Sequence, residues 1–265
     1  MNVLLVAIGT RGDMEPVITL GQLLQDRGHQ VSVLLPEQFC ALAQQARLNP
    51  ISLGPRWYEF MMSILNSFTD ASMSWWKRCT SLLSAIKESK PIHDEIAKHI
   101  HNTVITTNPD RIVFSAKALF AAIYNIDQPG RAIFHCPLPY LHKTRYHTHV
   151  GFKGRKAGAW LNKLSYRLVD HKVTKLLVDS AKQLNIAHVD KQSVKNVLET
   201  QTAIYTLSPA LFERPKDWRD NIKVLGFHER DKTDQWSPDN ALLSFLDRHE
   251  KILFVTFGSM TNSKP

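Results

Sequence analysis

Residues Asn2–Ile8 (NVLLVAI) form a nearly unbroken apolar run, the pattern of a strand covered on both faces of a parallel sheet. Glycines at 9 and 12 break that run, and Pro16 suits the first turn of a helix, where its missing N–H costs nothing. Val17, Leu20, Leu23 and Leu24 then recur at helical spacing and stop at Arg27-Gly28, a basic last turn with a glycine end. QVSVLLP (30–36) predicts a second strand, and residues 37–47 a second helix. Strand, helix, strand, helix at this spacing predicts a βαβ unit on a parallel sheet.

Further along, a helix is predicted from about Ser72 to His101, ending before Asn108-Pro109. RIVFSA (111–116) and RAIFHC (131–136) read as two more buried strands with a helix between them. Residues 137–157 lack an apolar period and read as a loop. Leu161, Leu164, Leu168, Val173, Leu176 and Leu177 restore helical spacing across 159–184. AIYTLS (203–208) and IKVLGF (222–227) read as short strands joined by an irregular connector. An amphipathic helix over 240–249 precedes a last predicted strand, KILFVTFGS. The fold class is therefore α/β, a Rossmann-like parallel sheet with helices on both faces.

Composition narrows the class. With 265 residues, 43% of them hydrophobic and 22% charged, the chain has the make-up of a globular protein of one or two domains. That apolar content excludes global disorder. Three cysteines (Cys40, Cys79, Cys136) without CxxC spacing suggest a reducing, cytoplasmic setting. The start has no basic n-region, its apolar run is short for a signal peptide, and no stretch reaches the ~20 apolar residues of a membrane span.

The net charge of +9 is concentrated in one place. Residues 143–199 hold twelve Lys/Arg against four acids, Asp170, Asp179, Asp190 and Glu199. Such a segment is either a solvated helical face or a surface for something acidic, such as anionic lipid headgroups. It carries no nucleic-acid-binding motif and few interleaved aromatics, so no nucleic-acid partner is expected.

The candidate chemistry begins at GTRGD (9–13), a glycine turn between a strand and a helix, the usual setting for anion binding. It is neither GxGxxG nor a Walker A loop, so no dinucleotide cofactor or NTPase is indicated. Asp13 falls at the carboxyl end of the first strand, where open α/β sheets place their ligands. Its carboxylate could accept a hydroxyl proton or, as an N-cap, satisfy first-turn amides. Residues 57–76 concentrate aromatic and Met side chains, including Trp57, Trp75 and Trp76, which suit either core or an apolar pocket. His142, His147 and His149 cluster near His135 without a carboxylate or Cys placed to complete a metal site, and read as loop histidines.

IGTRGDMEPVITLGQLLQDRGHQVSVLLP resembles the N-terminal signature of GT-B glycosyltransferases of the UDP-glycosyltransferase superfamily, in the branch of sterol glucosyltransferases and bacterial macrolide and antibiotic glycosyltransferases. Gly9, Thr10, Gly12, Asp13, Pro16, Gly28, His29, Val31 and Pro36 carry it. SPALFERPKDWRDNIKVLGF, WSPDNALLSFL and ILFVTFGSM resemble, in order, the segment joining that family's two domains. The resemblance implies an N-terminal acceptor-binding domain over residues 1–235, the N-terminal half of a GT-B fold. Residues 236–265 become a linker helix and the first strand of a donor-binding domain that the 265 residues do not contain.

By the same resemblance, an inverting enzyme transfers a hexose from a nucleotide sugar, UDP-glucose, to a hydroxyl of a lipophilic acceptor such as a sterol or polyketide. Asp13 takes the place of the general base, and Thr10, Arg11, Gly12 and Ser259 face the donor diphosphate. Trp57, Trp75, Trp76, His135 and Pro137 are implied on the acceptor side. No cofactor and no metal are implied, since the donor is a substrate; the basic segment 143–199, independently of the resemblance, suggests peripheral contact with the cytoplasmic face of an anionic membrane. The rival readings are a truncated, non-catalytic acceptor-binding module and a nucleotide-binding oxidoreductase.

Overall fold

The structure, a computed structural model, describes residues 1–60, 75–230 and 237–255, and the side chains of all of these except 75–89. Seven strands form one sheet in the order β3-β2-β1-β4-β5-β6-β7, and every adjacent pair is parallel. They are β1 (Asn2–Val6), β2 (Gln30–Leu35), β3 (Asn49–Ser52), β4 (Arg111–Phe114), β5 (Ala132–Cys136), β6 (Ala203–Tyr205) and β7 (Ile222–Val224). The helices are α1 (Arg11–Asp26), α2 (Cys40–Gln45), α3 (Trp75–Thr107), α4 (Ala159–Gln183), α5 (Lys191–Thr200) and α6 (Asn240–Arg248). A run of 3₁₀ turns, Ala116–Asn125, follows β4, where a helix was expected.

Alternation along the strands divides the core in two. Val3, Leu5, Ala7, Val31, Val33 and Leu35 face Met14, Val17 and Ile18 of α1 and Ala43 of α2. Leu4, Val6, Ile8, Ile112 and Phe114 face the other way, toward Ile92, Ile96 and Ile100 of α3 and Leu177 and Val178 of α4. Side chains on successive strand residues point to opposite faces, so a run such as VLLVAI serves both layers at once. Each fully buried Leu, Ile or Val contributes ~1.5–3 kcal/mol.

Four details differ from expectation. The first helix begins at Arg11, so Pro16 lies inside it rather than in its opening turn. Thr10 is the N-cap, and Asp13 is the third helical residue rather than the cap. Strand β3 and helix α5 were not foreseen. Residues 251–255 were expected in a strand but are unpaired and exposed, with Leu253 at 88% and Phe254 at 83%. A parallel strand exists only with a neighbour to bond to, and no strand of this sheet stands beside them. Among the described residues no helix is long and apolar enough to cross a membrane.

Candidate functional site

Strand order reverses between β1 and β4, and in doubly wound sheets the ligand crevice opens beyond the carboxyl ends of that pair. β1 leads into Gly9-Thr10, and β4 leads through Ser115, whose hydroxyl accepts the Ile8 amide at 3.1 Å. That bond ties the two strand ends together. Asp13 projects from the β1 side and Lys117 from the β4 side, and Lys117 Nζ lies 3.3 Å from Asp13 Oδ2. The Thr10 amide donates to the same oxygen at 2.8 Å and the Thr10 hydroxyl at 3.3 Å. All three contacts end on Oδ2, which leaves Oδ1 open on a side chain 18% exposed.

The turn admits this only because residue 9 is glycine. Its φ is 153°, and a Cβ there would overlap the Asp13 carboxylate. Gly12 is exposed, and a Cβ on it would meet nothing nearer than the Thr10 hydroxyl at 3.9 Å. Arg11 points outward and bonds to Glu15 at 3.2 Å, a helical i,i+4 pair. Glu15 also takes Arg230, whose side chain is 3% exposed, at 2.9 Å. The chain beyond β7 is thereby fastened across the first turns of α1.

His135 ends up fully buried near the end of β5. Its Nε2 lies 3.3 Å from Nδ1 of His228, and its Nδ1 is buried without a partner. Burial first and the neighbouring His228 ring second lower its pKa to about 3, so the imidazole is neutral. Burial lowers the pKa of His228 too, and outweighs the Pro16 backbone, which acts to raise it. Cys136 is a buried thiol pushed up to about 12, chiefly by desolvation. Pro137 is half-buried at the same rim.

A cavity of about 250 Å³ lies beside this rim, lined by Ile96 of α3, Leu119 and Phe120 of the 3₁₀ run, and Val173, Leu176 and Leu177 of α4. Lys117 lines it too, so one side chain touches both the apolar cavity and the carboxylate.

The structure therefore brings together Thr10, Gly12 and Asp13, and sets Arg11 to the outer side. Trp57 is only 8% exposed and packs against Phe60 and His93 in the core. The side chains of Trp75 and Trp76, and all of Ser259, lie outside the described residues. His142 is no free loop histidine: its Nδ1 is 2.6 Å from the Tyr205 hydroxyl, and burial lowers its pKa to about 4. His147 is likewise buried, bonded to Tyr166 at 3.2 Å. Among the described residues no group of three or more His, Cys, Asp or Glu is placed to hold a metal ion. Lys117, Glu15, His228 and Arg230 escaped the sequence reading. Lys117 had a usable signal, its place three residues beyond the second strand of the reversal.

Residues 3–106 match the family model described as glycosyltransferase family 28 N-terminal domain. The chain is 24% identical over 285 aligned residues to a sterol 3-beta-glucosyltransferase of Arabidopsis thaliana, covering 100% of this chain and 42% of that protein. It is 24% identical to a sterol 3-beta-glucosyltransferase of Pichia angusta, covering 98% of this chain and 21% of the relative. Among solved structures it is similar to the calicheamicin glycosyltransferase, with a TM-score of 0.56 and 12% identity over 85% of this chain and 52% of that one. The glycosyltransferase of kitacinnamycin gives a TM-score of 0.51 and 13% identity over 90% of this chain and 55% of that one. The chain spans less than half the length of these curated relatives. The chain is thus similar to glycosyltransferases at both levels, and its fold is the Rossmann-like α/β arrangement it shares with these two solved structures.

Proposed function

We propose, from the premise that residues 3–106 carry a glycosyltransferase family 28 N-terminal domain, that this chain is the acceptor-binding half of an inverting hexosyltransferase acting on a lipophilic hydroxyl compound, a sterol or polyketide. The observation that carries the reading is the placement of Asp13 and Lys117 on the two sides of the strand reversal, with an apolar cavity on the lysine side. An apolar pocket with a few convergent polar groups suits an acceptor that is mostly hydrocarbon with one reacting hydroxyl.

Asp13 Oδ1 takes the hydroxyl proton as the acceptor oxygen bonds to the anomeric carbon. The bond from that carbon to the donor diphosphate breaks on the opposite face, which inverts the centre. Lys117 and Thr10 hold Oδ2 and so fix where Oδ1 points. The donor, read as UDP-glucose, is a substrate and not a cofactor, and no metal takes part. Thr10, Arg11, Gly12 and Ser259 are its proposed contacts from this half.

Residues 236–265 belong, in this reading, to the donor-binding domain. The exposed apolar residues of α6 (Leu243, Phe245, Leu246) and of residues 252–255 support it, since such surface is normally covered. The free thiols Cys40 and Cys136 support a cytoplasmic setting.

The test is hexose transfer to a sterol by this chain joined to a donor half, with and without Asp13→Asn. General-base removal costs ~10²–10⁴ in rate. Retention of about a tenth or more of the activity would overturn the assignment. Titration of the chain itself with a sterol, UDP-glucose and a nicotinamide cofactor separates the rivals. Sterol binding is expected, and tight nicotinamide binding would return the oxidoreductase.

A further inference from the structure

The sequence contains no Asp or Glu between Asp127 and Asp170, while Lys143, Arg145, Lys153, Arg155, Lys156, Lys163 and Arg167 fall in that interval. In the structure nearly every residue from Gly151 to Leu161 is exposed. Trp160 is 71% exposed, its neighbour Leu161 is exposed as well, and so is Phe152 eight positions earlier. These apolar side chains therefore stand in water in a stretch of lysines and arginines that holds no acid of its own; the acids against it come from further along, Asp217 on the Arg145 amide and Glu213 in one cleft with Lys156.

The segment is held on a built frame. Asn162 is buried, accepts the Ala157 amide at 3.1 Å and donates to the Arg145 carbonyl at 2.8 Å. Thr148 is bonded to the Arg155 amide at 2.9 Å, and Ser165 to the His149 amide at 2.9 Å. Beneath them Tyr166 is fully buried. α4 starts from Gly158 with no side-chain cap and no acid in its first turn, so its positive end adds to the local field.

We propose that Phe152, Trp160 and Leu161, with the exposed Lys153, Arg155, Lys156 and Lys163 of the same segment, form a docking surface for an anionic lipid bilayer. Trp with aliphatic neighbours is suited to the headgroup boundary, where an amphipathic ring has one apolar and one wet end. Lysines can lay their stems along that boundary and keep their charges at the phosphates. Protein interfaces are, by contrast, depleted in lysine. The proposal rests on the functional reading in one respect only: a lipophilic acceptor gives the docking its purpose. α4 runs from this surface to the acceptor cavity, and the 17 residues from Trp160 to Leu177 span ~25 Å at 1.5 Å per residue. The docking residues therefore do not line the pocket.

The experiment is co-sedimentation of the full chain with phosphatidylcholine vesicles and with vesicles containing phosphatidylserine, at low and high salt. Binding is expected only with the anionic lipid, falling as salt rises. Trp160→Ala with Leu161→Ala should weaken it at least tenfold, and changing the four cations of the segment to Gln at least ~100-fold, from about fivefold per charge. These are exposed positions, so the far-ultraviolet spectrum and urea midpoint should not move. Asp13→Asn should bind vesicles like the parent, and the docking variants should keep transfer to a water-soluble acceptor. Failure of the surface and failure of the catalytic reading are thus told apart. Vesicle binding that is indifferent to anionic lipid, or unchanged in both variants, overturns the proposal. So does binding to duplex DNA or an acidic polypeptide without binding to vesicles.

Discussion

Lys117 and Asp13 lie 104 positions apart in the chain and meet at 3.3 Å across the point where the strand order reverses. The lysine belongs to the loop after β4 and the carboxylate to the turn after β1, so the contact reports the relative placement of the two strand ends. On the proposed reading its role is positional, since it holds one carboxylate oxygen and not the other. Lys117→Met should lower kcat of the complete enzyme ~10-fold or more, since a displacement of about 1 Å at the reacting groups costs ~10²-fold. Acceptor KM should change less, and Lys117→Arg should recover part of the loss. Equal kcat in the Met variant would make the pair incidental.

Gly9→Ala should be damaging in two ways. It places a side chain at a φ of 153°, which L residues rarely adopt, and it drives Cβ into the Asp13 carboxylate. A stability loss of ~1–3 kcal/mol is expected from the backbone alone. Transfer should fall to the level of Asp13→Asn. Thermal unfolding of the two variants checks it, because only the glycine substitution should lower Tm strongly.

Acid should loosen this half above the pH at which its carboxylates titrate. His135 and His142 are held neutral, at about 3 and about 4, whereas the unfolded rings titrate near ~6.5. A lowered folded pKa means the unfolded state binds more protons below ~6.5, so stability is full above that value and falls as pH drops toward 4. The expected slope is ~1.4 kcal/mol per pH unit for each histidine. Urea midpoints at pH 7.5, 6.0 and 5.0 measure it, and His135→Asn should remove its share of the slope. A flat profile between 7 and 5 would refute the burial argument.

Glu15 holds a nearly buried arginine, Arg230, and also pairs with Arg11. Glu15→Ala should therefore cost more than Arg230→Ala, because it strands a cation with little access to water. About 2–4 kcal/mol is expected for the former, by analogy with broken buried pairs. A double-mutant cycle in urea is the measurement, and a coupling near zero would show that the contact does not hold the segment.

Much of this was legible in advance, for reasons that differ along the chain. The β1–turn–α1 unit declares itself because a strand buried on both faces is apolar at every position and the glycines that end it are unmistakable. β3 was hidden because it is a four-residue edge strand containing Pro50, with no apolar run to mark it. α5 was hidden because only Val194 and Val197 of its ten residues are buried. The aromatic cluster was ambiguous by nature: Trp57 could line a pocket or fill a core, and the choice is made by α3, whose His93 closes over it. The sequence marks Asp13 as a functional candidate but not its place in the helix, because Pro16 suits a first turn and points to a later start. Thr10 starts it instead, by accepting the amides of the first turn through its carbonyl.

The bond from Arg230 to Glu15 spans 215 positions of sequence, and the His135–His228 contact spans 93. On the ribosome, β1, its glycine turn and α1 emerge early and can pair with β2 and β4 long before residue 230 leaves the tunnel. The glycine turn and its contact with Lys117 can therefore form first, and the latch across α1 closes only when nearly the whole domain has been made. A chain arrested short of Arg230 would carry every residue of the GTRGD motif and still lack the bond that fastens the segment beyond β7 across α1.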